Sequence, residues 1–232
     1  MMRHFLLLII YAWSIQSASP QLGSNSDQGS NELKPSAITL PDLTLNGTTL
    51  ETFTKVTITG GMSGGIARVL EGCTQGPQKP LNIRAGMTLS QAFDAVAGND
   101  TRSDWQAFDG VVNMFPVGSQ PALLKVRIHS FRWDKNAPAA ESIARLRDEP
   151  AVVDRAKQLG LEMGPSEGGP SGICIRNCSD HSKSQPTWQI ETDQTLLTLL
   201  NRVVHAHQRT IWAYSENHCG GSNRFLLETI AQ

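Results

Sequence analysis

The sequence predicts an α+β fold of two related small units, each read as strand, helix, strand, helix and then two strands. Two observations carry that expectation. The first is a repeat. Leu81-Asn82-Ile83 alternates like a strand, Thr88 is placed to cap a helix, and Leu89, Ala92, Phe93 and Val96 fall on one helical face before Trp105. Moving 107 residues on without a gap, Ile190 stands for Ile83 and Thr195 for Thr88. Leu196, Leu199, Leu200 and Val203 stand for the four face residues, and Trp212 for Trp105. A cap, a complete apolar face and a tryptophan in register read as one unit written twice. The second observation is turn chemistry: Asp109-Gly110 separates two short runs, a strong hairpin signal.

In chain order, the N-terminus reads as a secretory signal peptide over residues 1–18. Arg3 and His4 give it a positive start, Phe5 to Trp13 an apolar run, and Ser14 to Ala18 a small-residue exit. That apolar run is too short to cross about 30 Å of hydrocarbon. Residues 19–37 are rich in Ser, Asn, Gly, Gln and Pro and are expected to be a flexible linker. Such a stretch has too little apolar surface to offset its ordering entropy.

The first unit spans 38–118 and its structured part opens near Ile38 to Leu45. The β-branched run Val56-Thr57-Ile58-Thr59 reads as a strand that leads through Gly60-Gly61-Met62 into a helix at Ile66 to Leu70. Ser63 is then the helix N-cap, as Thr88 and Thr195 are in the repeat. The unit closes on strands at Asp104 to Phe108 and Val111 to Phe115. The second unit, 119–232, reads as a strand at Val126 to Ile128 and a helix at Ile143 to Leu146. A further helical segment runs from Val152 to Leu159, stopped by Gly160. A Gly-, Pro- and Ser-rich insertion from Gly164 to Ser184 follows, then the repeat's strand and helix, then strands at Ile211 to Tyr214 and Arg224 to Ile230.

The run from Leu81 through Gly86-Met87-Thr88-Leu89-Ser90-Gln91-Ala92-Phe93-Asp94-Ala95-Val96, with Trp105 and Asp109-Gly110-Val111-Val112-Asn113 after it, resembles the short N-terminal domain of secretins and TonB-dependent transducers. The likeness is strongest over 81–116, weaker over 187–214, and topological over 54–72 and 122–160. It implies a periplasmic α+β interaction domain in a Gram-negative envelope and carries over no catalytic residue. Neither the secretin pore nor a TonB-dependent barrel has a counterpart in this chain.

Twenty Lys and Arg against 21 Asp and Glu leave a net charge of −1, spread without a basic stripe. Nothing in it suggests nucleic acid or a charged membrane surface. The four cysteines, Cys73, Cys174, Cys178 and Cys219, are disulfide candidates, because an even count in an exported chain favours bridges. A link from Cys219 to Cys174 or Cys178 is the pairing expected first. The same residues with His181 and His218 offer a zinc set in principle, but their spacing matches no usual knuckle. His205 and His207 lie two apart on one helix and do not face the same way.

Gly61-Met62-Ser63-Gly64-Gly65 fits the nucleophile elbow of a serine hydrolase, with Asp193 and His205 or His207 following in suitable order. Its alignment with Gly86-Met87-Thr88, another strand-to-helix junction, favours the cap. Trp105 and Trp212 are expected in the core. Trp133 and Trp188, at strand ends, each fit an exposed contact, and the sequence does not choose between them. The reading is an exported, non-catalytic interaction module, periplasmic or secreted. It needs no cofactor or metal, and its partner is another envelope or secreted protein. The alternative is a small secreted hydrolase using Ser63.

Overall fold

We describe residues 34–71, 79–164, 185–221 and 223–230 of a computed structural model. The expected signal peptide, most of the linker, and Cys73, Cys174, Cys178 and His181 lie outside these residues. The fold is α+β, as the sequence predicts. Each half, however, has one strand more than expected. The first runs β1 (Leu43–Leu45), α1 (Thr49–Thr59), β2 (Ser63–Leu70), β3 (Leu81–Ile83), α2 (Leu89–Asn99), β4 (Ser103–Phe108) and β5 (Val111–Pro116). The second runs β6 (Arg127–Asp134), α3 (Ala139–Arg147), α4 (Pro150–Gln158), β7 (Glu162–Met163), β8 (Trp188–Thr195), α5 (Leu196–His207), β9 (Ile211–Asn217) and β10 (Arg224–Ile230).

The extra strands are β1 and β7, and the first half also exchanges a strand and a helix. The β-branched run at 56–59 is the end of α1, and the segment expected to be a helix is β2. A capping box overrides the strand propensity: the Glu51 N–H donates to Thr48 Oγ1 at 3.3 Å, and the Thr48 N–H donates to Glu51 Oε2 at 2.7 Å. Phe53 and Val56 then fall on one buried face. The hydroxyls of Thr52 and Thr57 donate back to the Thr48 and Phe53 carbonyls, so these buried threonines leave no hydroxyl unpaired. Gly61, at φ 70°, turns the chain into β2.

Ser63 is therefore not a helix cap. It is the first residue of β2, and its hydroxyl donates to the Val204 carbonyl at 2.9 Å. The caps at Thr88 and Thr195 are present: Thr88 accepts from the Gln91 N–H and Thr195 from the Thr198 N–H. Gly64 and Gly65 belong to packing. A Cβ on Gly64 would lie 2.9 Å from Thr57 Cγ2, and one on Gly65 only 2.0 Å from Trp212 Cε2.

Both halves use one pairing scheme. β1 pairs antiparallel with β3, and β6 with β8, as separate two-stranded ribbons. β5 lies between antiparallel β4 and parallel β2, and β10 between antiparallel β9 and parallel β7. The two three-stranded sets then join through parallel β2 and β9, giving the order β4-β5-β2-β9-β10-β7. The halves on either side of residue 118 thus share a sheet, and the described residues of both pack as one unit.

One face of that sheet is covered by α1, α2 and the β1–β3 ribbon, the other by α3, α4, α5 and the β6–β8 ribbon. Strand alternation sorts the side chains. On β5, Val112 and Met114 join the first core while Val111 and Phe115 join the second. Leu89, Phe93, Val96, Leu196, Leu200, Val203 and Trp212 are buried as expected. Trp105 is half-buried, because β4 is an edge strand where β9 is central.

Candidate functional site: the outer face of the β6–β8 ribbon

The β6–β8 ribbon has an inner and an outer face, and cross-strand register assigns residues to each. Phe131 and Trp133 point inward and are buried against the core. The outer face carries Ser130 opposite Thr192, Arg132 opposite Ile190, and Asp134 opposite Trp188. Of the two tryptophans left open by the sequence, Trp133 is a core residue and Trp188 is the exposed one, at 45%.

Ile190 makes the contrast sharper. Its counterpart Ile83 is 2% exposed beneath the first half's helices, yet Ile190 is 66% exposed. Two large apolar side chains, two residues apart on one strand face, are therefore open to solvent beside each other. Arg132 stacks its guanidinium on the Trp188 ring at 4.1 Å from the centroid. Arg145, on α3, lies 5.7 Å from the Phe131 ring centroid.

Beside Trp188 is an open groove of about 330 Å³ lined by Asp134, Asn136, Pro138, Glu141, Arg145 and Pro186. Its rim is held by polar contacts. Asp134 Oδ1 accepts from the Asn136 and Thr187 N–H groups, and the Asn136 side chain donates to the Gln185 carbonyl at 2.7 Å. The Asp134 carboxylate is thereby committed to positioning the two strand ends. Arg145 and Glu141 remain exposed on α3.

The other expected constellations fall elsewhere. Ser63 begins a strand after a helix, the reverse of the strand-to-helix turn an elbow requires. Asp193 pairs instead with His129, Oδ1 to Nδ1 at 2.9 Å, and turns the ribbon at φ 51°. His205 is exposed, while His207 packs on Trp133 with ring centroids 6.2 Å apart. Burial holds the His207 imidazole below its ordinary pKa. Near the end of β9, the buried Tyr214 hydroxyl donates to Glu216 Oε1 at 2.5 Å, and His218 Nε2 lies 3.4 Å from Glu216 Oε2. Burial, then that carboxylate, pushes the Tyr214 phenol well above its usual range, so it stays a donor. The Cys219 N–H donates to Asn217 Oδ1, and the cysteine partners expected for it lie outside the described residues. Among the described residues no three His, Cys, Asp or Glu side chains converge as metal ligands. No helix among them is long and apolar enough to cross a membrane.

Sequence reasoning did not find Arg132 or the exposure of Ile190. What sets Ile190 apart is its departure from the burial of its counterpart in the repeat. That departure shows only in the structure, because in the sequence Ile190 keeps the register of the buried Ile83. Comparison with known protein families, curated proteins and solved structures finds no match.

Proposed function

We propose that this protein is an exported, non-catalytic interaction module of the cell envelope, binding another protein through the outer face of the β6–β8 ribbon. The observation that carries the reading is Ile190 exposed beside Trp188, where its counterpart Ile83 is core. Tryptophan and arginine are among the residue types most enriched where interfaces concentrate their binding energy. The resemblance of 81–116 to the short N-terminal domain of secretins and TonB-dependent transducers supports the same class, as does the three-part N-terminus. A hydrolase at Ser63 gains no support from its position in β2, where its hydroxyl is spent on the Val204 carbonyl. The reading is tested by placing a photocrosslinker at Ile190 and asking whether capture of a partner depends on Trp188.

A further inference from the structure

The chain contains one Asn-Gly step, Asn46-Gly47. An asparagine side-chain amide is open to attack by the main-chain nitrogen of the next residue under two conditions. That nitrogen must be free of a hydrogen bond, and the asparagine must be free to swing its Cγ onto it. A following glycine has no Cβ to block the approach. Asn46 and Gly47 are both exposed, in the loop between β1 and α1. Among the described residues, the Asn46 side chain has no hydrogen-bond partner and the Gly47 N–H has no acceptor. Gly47, at φ 149°, holds a conformation that favours glycine and can take up the main-chain rotation that ring closure demands.

Three other asparagines are guarded on both counts. The N–H that follows Asn99 donates to the Val96 and Ala97 carbonyls, the one that follows Asn136 to the Asp134 carbonyl, and the one that follows Asn217 to the Leu70 carbonyl. Their side chains are tied as well. Asn99 Nδ2 donates to the Lys79 carbonyl at 2.9 Å and Asn136 Nδ2 to the Gln185 carbonyl at 2.7 Å. Asn217 Oδ1 accepts from the Cys219 N–H at 3.0 Å.

We propose that Asn46 is a site of spontaneous, succinimide-mediated modification in the folded protein. The Gly47 nitrogen, having given its proton to solvent base, bonds to Asn46 Cγ. The Cγ–Nδ2 bond breaks, and Nδ2 takes a proton from solvent and departs as ammonia. Water then opens the five-membered ring. Breaking the new bond between the Gly47 nitrogen and Cγ leaves aspartate. Breaking the bond between that nitrogen and the Asn46 carbonyl carbon leaves isoaspartate, with the chain running through Cγ. Either way one amide becomes one carboxylate, and nothing is oxidised or reduced. The isoaspartyl form lengthens the main chain by a methylene just ahead of the capping box, where the Thr48 N–H donates to Glu51 Oε2. It also sets a new carboxylate near that of Glu51, which lies against Gly47.

The test is incubation of the purified full chain at mildly alkaline pH, read by mass-spectrometric peptide mapping and by isoaspartyl methyltransferase labelling. The native protein should lose the Asn46 amide at a rate close to that of the chain unfolded in guanidinium chloride, giving both aspartate and isoaspartate. The Asn99, Asn136 and Asn217 amides should persist in the native protein over the same period, because each following N–H must first open. Asn46→Gln should remove the isoaspartyl signal at this position and leave the melting temperature unchanged, since glutamine must close a six-membered ring and does so far more slowly. An Asn46 amide that persists in the native protein while it converts in the unfolded chain would overturn the proposal, because the loop would then hold the step apart. Aspartate without isoaspartate would also overturn it, since direct hydrolysis of the side chain needs no ring.

Discussion

Gly65 has no side chain, and the Trp212 indole fills the space where one would stand. Adding a single methyl there must displace a fully buried ring that also donates from Nε1 to Asn201 Oδ1 at 2.8 Å. Gly65→Ala should therefore destabilise the protein by at least ~1–3 kcal/mol, the cost of overpacking a filled core. Gly98, inside α2, has nothing within 4 Å of a built Cβ. Gly98→Ala should act in the opposite direction, stabilising by ~0.5–1 kcal/mol through helix propensity. Denaturant titration of both variants checks the pair of signs.

Two titratable residues should divide the acid side of the stability profile. Burial lowers the His207 pKa below the ordinary 6.5. As pH falls through that value the unfolded chain takes up a proton that the folded state resists, so stability present above pH 6.5 declines below it. At Asp100 burial acts upward, but hydrogen bonds from Arg102 and Thr49, with the Arg102 charge, outweigh it and hold the carboxyl below its ordinary 3.8. Its contribution survives to lower pH, declining below that ordinary value as pH falls toward the lowered folded one. Melting temperature measured against pH should lose its first decline in His207→Phe and keep it in Asp100→Asn.

At the level of elements, α2 and α5 are the same construction twice. Each starts at a threonine cap and buries one apolar face. Each sends a tryptophan N–H from the following strand back to its own side chain: Trp105 to Asp94, and Trp212 to Asn201, both at 2.8 Å. Equivalent truncations should have similar costs. Thr88→Ala and Thr195→Ala should each lose ~0.5–2 kcal/mol, and Phe93→Ala and Leu200→Ala ~2–5 kcal/mol. Equilibrium unfolding of the four variants tests this, and a cap variant costing as much as a core variant would contradict it.

These two helices were legible in the sequence because cap, face period and tryptophan agree with one another. Residues 49–70 were not, because two signals conflict there. Val56, Thr57 and Ile58 favour a strand by side-chain type, whereas Thr48 with Glu51 three residues later marks a helix start. Tertiary burial of Phe53 and Val56 settles the conflict in favour of the helix. The glycines at 64 and 65 likewise looked like a turn before a helix. They are needed because Thr57 and Trp212 press on β2 from opposite faces, and no local pattern shows that.

Across the whole molecule, the repeat predicted two related units, and the structure places both halves in one sheet. The joining pair, β2 with β9, spans residues far apart in sequence, so its formation had no local signature. Half of the candidate site was visible in the same way. Trp188 was one of two tryptophans compatible with an exposed contact, but its distinction from Trp133 depends on which face of β6 and β8 meets the core. The joined sheet decides that, since it fixes the ribbon over α5 and leaves Trp188 and Ile190 outward.

The most direct measurement is site-specific photocrosslinking in cells that produce the protein. A photoreactive residue at Ile190 should capture one discrete partner. The same residue at Lys55, exposed on α1 in the opposite layer, should not. Adding Trp188→Ala should abolish the Ile190 adduct while leaving the melting temperature nearly unchanged, because Trp188 is outside the core. An adduct that persists without Trp188, or equal capture from Lys55 and Ile190, would contradict binding through this face.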